Sequence, residues 1–259
     1  MSASAARALP FFAPLLLTAA QLVACSGAET GPVDWHVSQY RGAERRWIPE
    51  TEFEFTPPTP SRMVILEVSQ YPDIAPTDAQ RKAAEAWIRA GYEAARRNGW
   101  FDYEKAAAAG FRLIFQDKTH YANEEFFLDD VQLDPNRPEV LMYYNTAKGQ
   151  KLAGYMFYVE NRGDRGVQRS GPLSVWHYHW WPKTFCMLKG LLPVGIPDES
   201  GRCERGQPHD TSPEMIHLWL IEHPQGRFAT NMSIPQKLFV NLVKKREAKE
   251  AMRSGDPDA

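Results

Sequence analysis

The residues of this chain best placed to do chemistry are the two histidines of "SVWHYHWWPKTFC", residues 174–186. In an extended segment alternate residues share a face, so His177 and His179 project the same way with their Cα atoms about 7 Å apart. Trp176, Tyr178 and Trp180 then take the opposite face. Gly171-Pro172 before the pair and Pro182 after it favour a strand. Two neutral imidazoles so placed can converge on one ion, but they need at least one more ligand. His217, in "SPEMIHLWLIEH", is the best third candidate, because an imidazole without a partner is costly to bury in an apolar segment. Residues 213–222 read two ways. As a strand they put His217 on a face with Met215, Trp219 and Ile221. As a helix, with Ser212 as N-cap and Pro213 in the first turn, they bring Glu214 and His217 near one face. Either geometry delivers His217, and Glu214 and Met215 stay open as alternatives for a further ligand. His120, in the carboxylate-rich "DKTHYANEEFFLDD", is expected as fourth ligand or as an acid/base group, with Asp129 or Asp130 beside it. His209 reads as a turn residue, and His36 and His223 as surface residues.

The expected ion is divalent: neutral imidazoles suit zinc or copper best, and iron or manganese if a carboxylate joins them. An open coordination position would let the ion activate water or polarise a carbonyl; a closed shell would make it structural or a store. The pattern assigns no catalytic residue, so enzyme and non-enzyme readings both stand. The His-x-His strand followed by a distant histidine resembles the metal-binding strands of cupins. The glutamate that usually follows in cupins is replaced here by "WWPKTF", and the interval to His217 is long. The tryptophan, histidine, cysteine and "PEMIHLW" elements also resemble uncharacterised secreted bacterial proteins, a likeness that implies no activity. Two readings without metal compete. In one, the tryptophans pack the core and the histidines are hydrogen-bonded at a sheet edge. In the other, exposed Trp176, Trp180 and Trp181 stack a sugar ring or a protein partner.

Several elements must position these residues. "MVILEV", residues 63–68, predicts a strand. Thr77 and Gln80 form the pattern of a capping box, and Ala84, Trp87, Ile88, Gly91, Tyr92 and Ala95 line one face of a helix that Asn98-Gly99 stops. A second helix is expected from the N-cap Asp102 to Gly110. From residue 111 the apolar period shifts towards two. "EVLMYYN" and "QKLAGYMFYVE", joined by "TAKG", predict an antiparallel hairpin, with further strands at "FRLIFQ", "GPLSVWHYHWW" and "TFCML". "PQKLFVNLVKKREAKEAMRSG" predicts a C-terminal helix whose apolar positions are Leu238 and Leu242, with Phe239 as a further candidate, and which projects into solvent. The expected class is α+β: an antiparallel sheet with an N-terminal helical pair and a C-terminal helix.

The 259 residues carry 30 Lys and Arg against 32 Asp and Glu, a balance that suggests neither a nucleic-acid partner nor a basic membrane patch. The chain opens with "MSASAARALPFFAPLLLTAAQLVAC", one basic residue and then an uncharged apolar run too short to span a bilayer. This is the layout of an export signal over residues 1–24, and Leu22-Val23-Ala24-Cys25 resembles the lipobox of bacterial lipoproteins. By that resemblance Cys25 becomes the first mature residue, carries the acyl chains and anchors the protein to a membrane. Ser26, in place of an aspartate, implies the outer membrane, facing the periplasm. Residues 25–62, with "SGAETGP" and "TPPTPS", read as a tether of extended chain, and residues 63–259 as one globular domain. With Cys25 lipidated, Cys186 and Cys203 remain, and an oxidising compartment would pair them. The loop so closed is worth about 3 kcal/mol in the chain-entropy model. The competing use, two thiolate metal ligands, lacks the tight spacing of zinc ribbons.

Overall fold

The computed structural model describes residues 44–48, 63–68, 75–114 and 118–254. The expected export signal, Cys25, His36 and the two Pro- or Gly-rich stretches of the expected tether lie outside them. Among the described residues the architecture is α+β: a mostly antiparallel, curled ten-stranded sheet with four α-helices, the last at the C-terminal end. Strand β1 (Glu44–Ile48) lies within the stretch read as tether and pairs parallel to β2 (Val64–Val68). The helices α1 (Asp78–Asn98) and α2 (Tyr103–Ala108) follow. The Thr77–Gln80 capping box starts α1, and Gly99 ends it in the left-handed conformation that a residue without Cβ adopts at little cost.

After α2 come β3 (Arg112–Leu113), β4 (His120–Ala122) and α3 (Glu124–Phe127). The hairpin β5 (Val140–Thr146) and β6 (Gly149–Tyr158) forms with the expected turn. Strand β7 (Trp176–Leu188) is longer than the sequence suggests, because it runs through Pro182 into "TFCML". Its ladder with β9 (Gln207–Thr211) is broken between Trp180 and Phe185, so on that side the missing N–H of proline falls where no ladder bond is made. Residues 171–173, expected in that strand, form a 3-10 turn before it. β8 (Leu192–Gly195) pairs with the end of β7, and β10 (Met215–Trp219) settles residues 215–219 as strand. Helix α4 (Gln236–Ser254) closes the described chain.

The strand order is β1-β2-β7-β10-β6-β5-β4-β3, with β8 and β9 on β7. One face packs on α1: Trp87 and Ala95 of the helix meet Tyr155, Phe157, Ile216 and Leu218 of the sheet. The Tyr155 hydroxyl donates to the Gly91 carbonyl at 2.8 Å and pins helix to sheet. The opposite face is concave and holds two apolar clusters. One gathers Ile65, Met142, Trp219 and Ile221 with Phe239 and Val243 of α4. The other gathers Val140, Met156, Tyr158 and Met215 with Phe127 and Leu191. Helix α4 thus docks instead of projecting freely, through fully buried Phe239 while Leu238 is left exposed. Arg246 extends the docking face, its guanidinium lying 4.7 Å over the Phe101 ring and donating to the Leu152 carbonyl.

The curl has a local cause. β5 and β6 shift register between Met142 and Tyr143, and Gly154 stands opposite both Met142 and Trp219. A Cβ on Gly154 would lie 2.4 Å from the Leu218 carbonyl oxygen and 2.9 Å from the Met142 methyl carbon. Bulge and glycine together let the strands bend towards the concave face. Cys186 and Cys203 are disulfide-bonded, with Cα atoms 5.6 Å apart, so neither is a free thiolate.

Candidate metal centre

Strand alternation divides the residues of β7 as expected. Trp176 belongs to the cluster under α1, and Tyr178 and Trp180 pack with Val64 and Leu66. His177 and His179 face the concave side. Their strand is fixed by β2, where Glu67 stands opposite His177 and Ile65 opposite His179. On the other flank the His179 amide donates to Ser212 Oγ at 2.7 Å, and the Ser212 amide donates back to the His179 carbonyl. β10 runs antiparallel to β7 with Met215 opposite His177, which places His217 on the same face.

The ring centroids of His177 and His217 are 4.7 Å apart, and those of His177 and His179 are 5.6 Å apart. His120 joins from β4, its ring 6.3 Å from that of His217. Strands β6 and β5 intervene between β10 and β4, so in a flat sheet these backbones would be about 14 Å apart. The curl brings the two rings together over that span. All four predicted histidines therefore gather, each at most 4% exposed.

Hydrogen bonds fix part of the protonation pattern. His217 Nδ1 lies 2.9 Å from the Ala229 carbonyl, an acceptor only, so Nδ1 carries the proton. Nε2 of His217 then presents a bare lone pair, buried and without a hydrogen-bond partner. His177 is fully buried, and neither of its ring nitrogens has a partner. The Val175 backbone favours its charged form without reaching hydrogen-bond geometry. Desolvation holds His177 well below the ordinary imidazole range, reinforced by His217 and His179. Desolvation does the same to His217, reinforced by the neighbouring His120. Both rings are neutral, the form that ligates metal. His120 Nδ1 is 3.3 Å from Thr119 Oγ1.

Other expected participants are placed elsewhere. Glu214 projects away from Met215 and His217 on the alternation of β10; it accepts from Arg165 at 2.7 Å and from the Gly166 amide at 2.9 Å. Asp129 accepts from Arg137 and the Val131 amide, and Asp130 is exposed. His209 lies in β9, not in a loop. His223, read as a surface residue, is buried and stacks on Trp219 with ring centroids 4.7 Å apart, because the chain turns back after β10 and returns to it through the Trp219 amide, which donates to the Arg227 carbonyl. The exposed tryptophan platform is absent: Trp176 and Trp180 are buried, and Trp181 packs against the cluster that holds Phe239.

Glu67 was the residue that pattern reading passed over. It is the one charge in "MVILEV", it stands opposite His177, and it accepts from the Thr230 hydroxyl. As they stand, no three His, Cys, Asp or Glu side chains among the described residues are arranged to hold a metal ion. Among the described residues no helix is long and apolar enough to cross a membrane. The chain matches no family model, and neither a curated protein nor a solved structure is significantly similar to it.

Proposed function

We propose that this is an exported, lipid-anchored metal-binding protein in which His177, His179, His217 and His120 hold one ion, favouring zinc or copper. The observation that carries the reading is His177, a fully buried imidazole with both nitrogens unpaired, against His217, whose free Nε2 is oriented by the Ala229 carbonyl. Burying such groups without partners costs about 1–3 kcal/mol each, and an ion would repay that cost. The spacing supports it. Two imidazoles bound at 2.0–2.1 Å to a tetrahedral ion have ring centroids about 5 Å apart, close to the 4.7 and 5.6 Å here. Binding then needs ring rotation, with the backbone already in place. The depth of the cluster favours a closed shell that stores or structures over one that turns over substrate. The Cys186–Cys203 disulfide supports residence in an oxidising compartment, Leu22-Val23-Ala24-Cys25 supports the lipid anchor, and Ser26 supports the outer membrane.

Elemental analysis of the exported protein in detergent tests the reading, beside a His177→Ala, His179→Ala double variant. Near one equivalent of a single metal, lost in the variant while the circular dichroism is kept, is the expected result. No metal in either form, even after reconstitution, overturns it. For the anchor, Cys25→Ala should release the protein from the membrane fraction, and continued association removes that part.

One observation favours a second reading, a binding lipoprotein without metal. A cleft of about 460 Å³ opens between α1 and α4, with Ile88, Leu220 and Leu242 along its wall and Arg227 and Arg246 at its charged side. A metal-free protein whose ligand is displaced by Leu242→Arg would establish this alternative.

A further inference from the structure

We propose that the ion is copper(I), held by thioether sulfurs as well as imidazoles; this rests on the metal-binding reading above. The observation is the register of the concave face. Met215 stands directly opposite His177, Met156 opposite His217, and Met142 opposite His120. The chain has eight methionines in 259 residues, so three of them meeting three of the clustered histidines as cross-strand partners is a pattern, not composition. Directly opposed residues of an antiparallel pair share a face with their Cβ atoms about 4.5–5.5 Å apart. Each methionine thus has an imidazole-bearing residue as its cross-strand neighbour. All three methionines are at most 2% exposed.

The ligand chemistry selects the metal. Thioether sulfur is soft and uncharged, suits copper(I), and is a poor ligand for zinc, which takes thiolate, imidazole and carboxylate. Three rotatable bonds let a methionine swing its sulfur to an ion without backbone movement, so the arrangement needs no change in the strands that carry it. Neutral imidazoles and thioethers leave the site uncharged before binding, which favours a singly charged ion over a divalent one in a buried setting. Glu67 is the harder ligand on this face and would favour zinc, iron or manganese; it is held by Thr230. The carboxylate and the sulfurs therefore make opposite predictions for metal preference.

The test is an anaerobic titration of the full exported protein in detergent with copper(I), in competition with bathocuproine disulfonate, and with zinc(II) in parallel. Variants are Met142→Leu, Met156→Leu and Met215→Leu, each close to volume-conserving and so expected to fold, with His177→Ala as the control for the imidazoles. X-ray absorption of the copper form reads its ligands directly. The expected result is one copper(I) per chain, sulfur in its coordination shell, and affinity falling at least about tenfold in at least one methionine variant while zinc binding is unchanged. Copper(I) affinity untouched by all three methionine variants, a shell of nitrogen and oxygen only, or zinc binding tighter than copper would overturn this inference and leave the histidine site standing. Failure of both ions to bind overturns the site itself.

Discussion

His177 offers the sharpest perturbation, because the metal-free and metal-bound proteins should respond to its loss in opposite directions. Its imidazole is fully buried, with one N–H and one lone pair lacking hydrogen-bond partners. Each such group costs about 1–3 kcal/mol to desolvate. Leucine is similar in bulk and carries no polar atom, and imperfect fit should cost less than about 1.5 kcal/mol. His177→Leu is therefore expected to stabilise the metal-free protein by about 1–3 kcal/mol, at the lower end because the Val175 backbone gives the ring partial compensation. The assay is urea unfolding after chelation, with the slope checked so that the midpoint reports stability alone. Adding the bound metal at about one hundred times its dissociation constant should raise the wild type by about 2.7 kcal/mol and leave the variant unchanged, inverting their order. A chelated variant less stable than the wild type by more than about 1 kcal/mol would refute the reasoning, since it would mean that the His177 nitrogens are satisfied within the fold.

Three further expectations concern the frame that holds the site. Reducing Cys186–Cys203, or Cys203→Ser, should remove about 3 kcal/mol and lower the melting temperature by about 6–12 °C in a calorimeter; free thiols in the unreduced protein would contradict the disulfide. Gly154→Ala should cost about 3 kcal/mol in urea unfolding, because its Cβ meets the Leu218 carbonyl at 2.4 Å, and a loss under about 0.5 kcal/mol would show that the curl does not depend on it. Glu139 is buried with one carboxylate oxygen unpaired, and desolvation raises its pKa well above 4.5. The folded state keeps that proton after the unfolded chain has lost it, so this group's contribution to stability declines as pH rises above 4.5. Glu139→Gln should accordingly gain more stability at pH 8 than at pH 4, and equal effects at the two values would exclude a raised pKa.

Much of this was written locally. The alternation of "SVWHYHWW" sorted two histidines from three aromatics, because side-chain period in a strand depends on nothing beyond the strand. Thr77, Gln80 and Gly99 fixed the ends of α1 for the same reason, since capping partners lie within a few residues. The cysteine arithmetic paired Cys186 with Cys203 once Cys25 was set aside. Sequence could not decide between strand and helix around His217, because Ser212-Pro213 is a sound helix start and only the ladders with β6 and β7 outweigh it. It missed that α4 docks on the sheet, that His223 is covered, and that Pro182 lies inside a strand, since each depends on what another part of the chain supplies. Residue types alone named His177, His179, His217 and His120 as a set; the tertiary structure decided that they meet. A bulge at Met142 and a bare backbone at Gly154 curl the sheet, and that curl carries His120 across two strands to His217, while strand register sets a methionine opposite three of the four imidazoles. Register and curvature are relations between distant segments, so no local pattern encodes them.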